Sequence, residues 1–272
     1  MENMSHNHCP ILTIAGSDSG GGAGIQADIK SISANGGYAA SVITASTAQN
    51  TQGVTDIHAM PIPHIIMQMK AVFDDISFKA IKIGMLHSPE VIKAVENTLQ
   101  EYKMTNIVFD PVMIATSGDK LLNDDAVQSL KDFLPKVRLI TPNIPEAELL
   151  IGHSIDLKNI QETAKELAEL YQTSVLLKGG HLKLTDTMTD ILYNYESKKA
   201  TVIQNRSVKT KNTHGTGCTL SSAVATYLGL EFSLEDACFK GCEYLNIAIQ
   251  TGKDKILGHG HGPVDHFWKT TF

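Results

Sequence analysis

The sequence predicts an α/β fold with a mainly parallel central sheet, helices on both faces and an antiparallel edge, and three observations carry that expectation. Short apolar runs alternate with segments of helical periodicity over most of the 272 residues. Several of the runs are apolar on consecutive positions, as in Ile107-Val108-Phe109 and Val175-Leu176-Leu177, which suits strands covered on both faces. Late in the chain the pattern changes to two strand-like runs, Asp190 to Tyr193 and Thr201 to Ile203, separated by the polar Asn194 to Lys199, which reads as a hairpin at the edge of the same sheet.

The elements follow in order. Ile11 to Ala15 is a strand that stops at the glycine-dense turn Gly16 to Gly24, and Ile25, Ile29 and Ile32 then recur at helical spacing up to Asn35-Gly36-Gly37. Further strands are expected at Ser41 to Ala45, Ala80 to Gly84, Asn106 to Asp110, Arg138 to Thr141 and Ser174 to Lys178. Helical patterns lie around 64–74, 90–102, 124–134, 157–171, 217–229 and 233–250. No Pro/Ser-rich linker or internal repeat divides the chain, so the expectation is a polar extension over residues 1–10 and one domain over 11–272.

Composition narrows the function. With 42% hydrophobic and 19% charged residues the chain can bury a sizeable core. A net charge of -6, without a basic block, argues against nucleic acid as a partner. The lack of a membrane-length apolar run argues against a membrane, and the polar start points to a cytoplasmic protein. Four cysteines are too few for a disulfide scaffold. The pair Cys238 and Cys242, and the histidines near His6, His8, His259 and His261, have metal-like spacings, but core packing and solvated loops account for them.

In an open α/β sheet ligands bind beyond the carboxyl ends of the strands, and the unusual residues gather there. Gly16, Asp18, Met85, Asp110, Asn143 and Lys178 each stand at or just past a strand end. The stretch Gly22 to Ala27 fits a loose dinucleotide pattern, yet no acid follows at the distance that would hold a ribose, and a Walker loop is absent. What remains is a turn whose amides could hold an anion or close over a substrate, or a plain tight turn.

A sharper signal is Asn212-Thr213-His214-Gly215-Thr216-Gly217-Cys218-Thr219, followed at once by the apolar helical positions Leu220, Val224 and Leu228. Small residues at a helix N-terminus admit a phosphate to the backbone, and the helix field stabilises negative charge. The same field is expected to lower the pKa of Cys218 and fit it to take a proton from an alcohol; the plain alternative is a buried cysteine. Asp110 and Glu146, with Asn143, could supply magnesium oxygens beside phosphates, or Asn143 and Glu146 could simply begin a helix. Lys178 adds a point charge for phosphate, or is an ordinary lysine.

Together these residues resemble the ribokinase-like superfamily, and within it the hydroxymethylpyrimidine/phosphomethylpyrimidine kinases of thiamin synthesis. The resemblance spans nearly the whole chain and rests on Thr13 to Asp28, Thr47 to Thr51, Asp110 to Met113, Thr116 to Asp119, Thr141 to Glu146, Lys178 to His181 and His214 to Thr219. It implies a three-layer α/β/α sandwich, usually dimeric, that phosphorylates 4-amino-5-hydroxymethyl-2-methylpyrimidine with ATP and magnesium and then its monophosphate. It further implies magnesium and phosphate contacts for Asp110, Asn143 and Glu146, and an anion hole at Gly215, Thr216, Gly217 and Cys218 with Cys218 as base. By the same resemblance Asp28 and Gln49 bond the pyrimidine, Gly16, Met85 and Val112 line its pocket, and Lys178 and Thr213 contact ATP. The rival readings are a pyridoxine/pyridoxal kinase of the same branch and a non-catalytic pyrimidine or nucleotide sensor.

Overall fold

The computed structural model describes residues 8–113, 124–180 and 187–270. The motif Thr116 to Asp119 and His181 lie outside the described residues. Nine strands form one sheet: β1 (Pro10–Asp18), β2 (Tyr38–Asn50), β3 (Gly53–Ala59), β4 (Ala80–Ile83), β5 (Ile107–Phe109), β6 (Leu139–Ile140), β7 (Ser174–Leu177), β8 (Thr187–Asn194) and β9 (Lys199–Arg206). Their spatial order is β3-β2-β1-β4-β5-β6-β7-β8-β9. The six central strands run parallel, and β3, β8 and β9 pair antiparallel at the two ends.

Eight helices complete the described chain: α1 (Gly24–Ala34), α2 (Ile62–Phe73), α3 (Pro89–Glu101), α4 (Asp124–Phe133), α5 (Ile144–Ile151), α6 (Ile160–Tyr171), α7 (Thr216–Gly229) and α8 (Leu234–Gly252). The consecutive apolar runs now have their reason, because neighbours along a strand point to opposite faces. Leu12, Ile14, Ile107, Phe109, Ile140, Val175 and Leu177 pack into the layer of α2, α3, α4, α5 and α6. Ile11, Val108, Leu139 and Leu176 face the other way, into the layer of α1, α7 and α8. This three-layer arrangement, with its antiparallel β8–β9 edge, agrees with the sequence reading.

The sequence reading stopped the second strand at Ala45 and did not contain β3. All seven residues of β3 are exposed, so β3 carries no alternation of buried and exposed positions to read. The register shift between Ala48 and Gln49 further breaks the pattern in β2. A helix over 144–151 was expected only as one of two readings of Asn143 and Glu146; the structure forms it.

Leu176 is fully buried in the central β7. Leu176→Ala is expected to lower the unfolding free energy by about 2 to 5 kcal/mol, and Leu170→Ala, at an exposed position, by less than about 0.5 kcal/mol. Urea titration of both variants checks this, and equal losses would contradict the two-faced burial.

Candidate active site

One cavity of about 480 Å³ opens at the carboxyl ends of β1, β2, β4, β5 and β7. Gly16, Gln49, Met85, Val112, Asp110, Asn143, Glu146, Lys178, Thr213, Gly215, Thr216, Gly217 and Cys218 all line it. Of the expected site residues, only Asp28 does not. It is fully buried beneath the floor, where it accepts hydrogen bonds from Thr13 Oγ1 (2.6 Å), Ser222 Oγ (2.8 Å) and Lys82 Nζ (2.8 Å to each oxygen). Its oxygens are saturated there, so the expected bond to a pyrimidine is replaced by an internal ion pair.

For the glycine turn after β1 the structure fits the plain tight turn, one of the two readings. Its amides do not face outward for a ligand anion. Those of Gly20 (2.7 Å), Gly22 (3.0 Å) and Ala23 (2.8 Å) converge on the Asp18 carboxylate, as does His214 Nε2 at 2.9 Å. The anion in this nest is the protein's own. The turn and the loop before α7 then interlock: a Cβ on Gly215, whose φ is +77°, would stand 1.8 Å from Gly22 O, and one on Gly22 would stand 2.3 Å from the His214 ring. Because His214 Nε2 faces an anionic carboxylate, this nitrogen carries the proton, and His214 orients the loop.

At the far wall Lys178 Nζ lies 3.0 Å from Asp110 Oδ1 and 4.0 Å from Glu146 Oε2. Both carboxylates are buried. Asn143 and Glu146 form a full capping box at the start of α5: Asn143 Oδ1 accepts from Glu146 N (2.9 Å), and Glu146 Oε2 accepts from Asn143 N (2.8 Å). Asn143 therefore serves first as the cap that sets Glu146 in place. The first turn of α7 presses on the same group, since a Cβ on Gly217 would stand 3.0 Å from Asp110 Oδ2 and 3.4 Å from Lys178 Nζ. Glycine here brings helix amides, which lack intrahelical acceptors, close to the lysine and carboxylates.

Electrostatics corrects the expectation for Cys218. Burial pushes its thiol up to about 11, and although Lys82 pulls the other way, Asp28 and Asp110 reinforce the rise; the Gly24 amide opposes it. Desolvation outweighs the helix field, so Cys218 is a thiol at neutral pH. Burial and then Asp110 also raise Glu146 above the usual carboxylate range, against the pull of Lys178 and the amides of Asn143 and Met113. Burial works against the Lys178 charge, but Asp110 and Glu146 prevail and hold its pKa above the usual lysine value.

Sequence reasoning missed Lys82, and it placed Asp18 at the end of the first strand without a role. Lys82 sits in β4, fully buried, and touches the cavity. The available signal was a lysine inside the otherwise apolar run Ala80-Ile81-Lys82-Ile83, a strand with no exposed face. Asp18 had a weaker signal, an acid opening a run of glycines whose amides need an acceptor.

Sheet order, cavity and a lysine–carboxylate group at a helix N-terminus agree with a sandwich of the ribokinase-like class. The chain belongs to the phosphomethylpyrimidine kinase family, whose model matches residues 18–265. It is 47% identical over 94% of its length to the thiamine biosynthesis bifunctional protein ThiED of Geobacter sulfurreducens, of which it spans 52%. It is 44% identical to the hydroxymethylpyrimidine/phosphomethylpyrimidine kinase of Rhizobium meliloti, with 95% of this chain and 98% of that protein covered. An ADP complex of Bacillus subtilis pyridoxal kinase superposes with a TM-score of 0.86 at 31% identity, covering 96% of this chain and 98% of that one.

Burial alone would raise the Asp18 carboxyl; the hydrogen bond from His214, the amides of Ala23 and Gly20 and the His214 charge outweigh it and hold it at about 2. A depressed carboxyl stabilises the fold fully above its unfolded pKa, and the contribution fades as pH falls through the folded value. Asp18→Asn is expected to be less stable than the parent at pH 6, with the gap narrowing steadily from about pH 5 to about pH 3. Urea unfolding across that range checks the sign; a gap that widens on acidification contradicts it.

Proposed function

We propose that the chain transfers the γ-phosphoryl group of ATP to the hydroxymethyl oxygen of 4-amino-5-hydroxymethyl-2-methylpyrimidine, and a second to the resulting monophosphate. The observation that carries this reading is one cavity lined by Lys178, Asp110, Cys218 and the α7 N-terminus together with Gln49, Met85 and Val112. The names of the full-length relatives support the substrate.

The polar and apolar linings divide the work. Gly16, Met85 and Val112 offer a flat apolar slot, and Gln49 supplies the amide for ring nitrogens and an amine. Its Oε1 accepts from Thr47 Oγ1 at 3.0 Å, and its Nε2 lies 3.4 Å from His214 Nε2. Thr213, Val208, Leu245 and Ile249 line the opposite wing, where a nucleoside fits, and Lys178 faces its phosphates. The substrate oxygen attacks the γ-phosphorus as the bond to the bridging oxygen of ADP breaks. Lys178 and the first-turn amides of Gly215 to Cys218 stabilise the charge on the transferred group. The alcohol proton passes to the Cys218 sulfur once that sulfur is ionised.

Two buried carboxylates beside a lysine, without a third ligand among the described residues, suit a magnesium ion that keeps several waters and shares the nucleotide phosphates. Asp110 and Glu146 would hold it, with Asn143 fixing Glu146, and bound there it would neutralise phosphate charge. We include a homodimer in the proposal, since the exposed β3 leaves one sheet end uncovered.

A pyridoxal kinase activity is the second reading, favoured by the likeness to the Bacillus subtilis enzyme. Coupled ADP release with the pyrimidine, with pyridoxal and with neither separates kinase from sensor and ranks the two alcohols. ADP release at the same slow rate in all three assays contradicts the kinase reading.

Two variants test the residue roles. Gln49→Leu is expected to weaken the pyrimidine by about 1 to 3 kcal/mol in kcat/KM, with KM for ATP little changed. Equal losses for both ligands contradict the pocket assignment. Because the Cys218 thiol is pushed up to about 11, the thiolate fraction rises with pH throughout the neutral and mildly alkaline range. The parent rate is expected to climb from pH 7 to pH 9, whereas Cys218→Ser should bind normally, lose about 10²-fold or more in rate and lack that climb. A variant with the parent's rate and pH profile removes Cys218 from the mechanism.

A further inference from the structure

The β2–β3 hairpin carries Gln49 and, through Val54 and Ile57, lines the pyrimidine end of the cavity. β3 is exposed throughout, so core packing does not fix the hairpin. Its near end is tied to the glycine turn, where Ser19 Oγ donates to Gln49 O (2.7 Å) and accepts from Gln49 N (2.8 Å).

The hairpin's turn is held by the segment 258–262, the His-rich glycine stretch. Thr51 O accepts from His261 N at 2.8 Å, and Thr51 Oγ1 accepts from Gly260 N at 3.1 Å. The glycines exist to admit Thr51: a Cβ on Gly260 would lie 1.9 Å from Thr51 O, and one on Gly258 would lie 2.4 Å from Thr51 Oγ1. The same segment reaches the anion-hole loop at its other end, where Gly262 O accepts from His214 N at 3.1 Å and Asn212 Oδ1 would meet a Cβ on Gly262 at 2.3 Å. Asn212 Nδ2 in turn donates to Gly252 O and Lys255 O, each at 2.7 Å, which anchors the assembly to the end of α8.

We propose that segment 258–262 is a strap whose alternate glycines seat Thr51 and thereby set the position of the Gln49 hairpin relative to the anion-hole loop. Thr51, Gly258 and Gly260 are positioning residues, acting on substrate through Gln49. The inference rests on the pyrimidine reading for its kinetic arm alone. His259 and His261 hold no part of a three-ligand metal group among the described residues, and His261 Nδ1 instead lies 3.1 Å from Lys211 O.

The two glycines meet different atoms of Thr51, and this makes the strap testable. Gly258→Ala collides with a side chain, which Thr51→Gly removes; Gly260→Ala collides with a backbone carbonyl, which no substitution at 51 removes. The positive φ of Gly258, +66°, penalises alanine equally in both backgrounds and cancels in the comparison. Gly258→Ala is expected to raise KM for the pyrimidine about tenfold, with KM for ATP within about twofold of the parent. Added to Thr51→Gly, Gly258→Ala should cost clearly less than it does in the parent, because only the backbone strain remains, while Gly260→Ala should cost as much as it does in the parent. Hydrogen exchange supplies the arm independent of substrate: the His261 amide is expected to be protected in the parent and to exchange at least about tenfold faster in Gly258→Ala.

Additive effects of Thr51→Gly and Gly258→Ala, or unchanged exchange at His261, overturn the strap. A parent that does not phosphorylate the pyrimidine overturns the substrate reading and leaves the exchange result to decide the strap. Should Gly260→Ala not fold, the Gly258 and Thr51 variants decide it without that comparison.

Discussion

A carboxylate out of reach of water stays charged only where donors are arrayed around it, and Asp18 imposes that requirement on two separate parts of the chain. Three amides of the glycine turn and the ring of His214 all point at its oxygens. One negative charge thus shapes the turn after β1 and fixes, from a distance of nearly two hundred residues, the loop that opens α7. The close approach of Gly22 and Gly215 is the steric counterpart of the same constraint. Gly217 and Cys218, in the first turn of α7, follow directly on the loop that Asp18 holds.

The wall opposite depends on like charges kept apart by one cation. Asp110 and Glu146 share Lys178, and α7 arrives close enough for its first-turn amides to face them because position 217 has no side chain. Lysine and amide donors there stand against two acids, so the charges of this wall are answered within the protein. The half-buried thiol of Cys218 is the opposite case. Its surroundings disfavour charge, so Cys218 contributes little to the field of the site and ionises only as the pH rises.

Much of this was legible in the sequence, and the reasons differ by element. Consecutive apolar positions in 107–109 and 175–177 identified two-faced strands because each face meets its own helix layer. Strand ends named most of the cavity because ligand sites in parallel sheets gather there, and Asn143 with Glu146 was readable as a cap as well as a ligand pair. β3 was not legible, since a strand exposed on every residue has no burial pattern to print on its sequence. The partners of Asp28 were hidden for another reason: Lys82 and Ser222 lie 54 and 194 residues away, and no local rule links them. The direction of the Cys218 shift was misjudged because a helix terminus is visible in sequence and desolvation is not.

The ion pair beneath the floor has a consequence for how this protein can change. Lys82 and Asp28 are both fully buried, so losing either alone strands a charge at a cost of about 3 to 5 kcal/mol, a large part of a typical domain's stability. Apolar replacement of both at once is far cheaper and in other proteins is often neutral. The two positions therefore form a single heritable unit: lineages that drift at one without the other pass through chains that barely fold. Thr13 and Ser222, which donate to the same carboxylate, are bound into that unit from β1 and α7. Variation in the family should accordingly be found at the rim of the cavity and in β3, where a substitution can be tried one residue at a time.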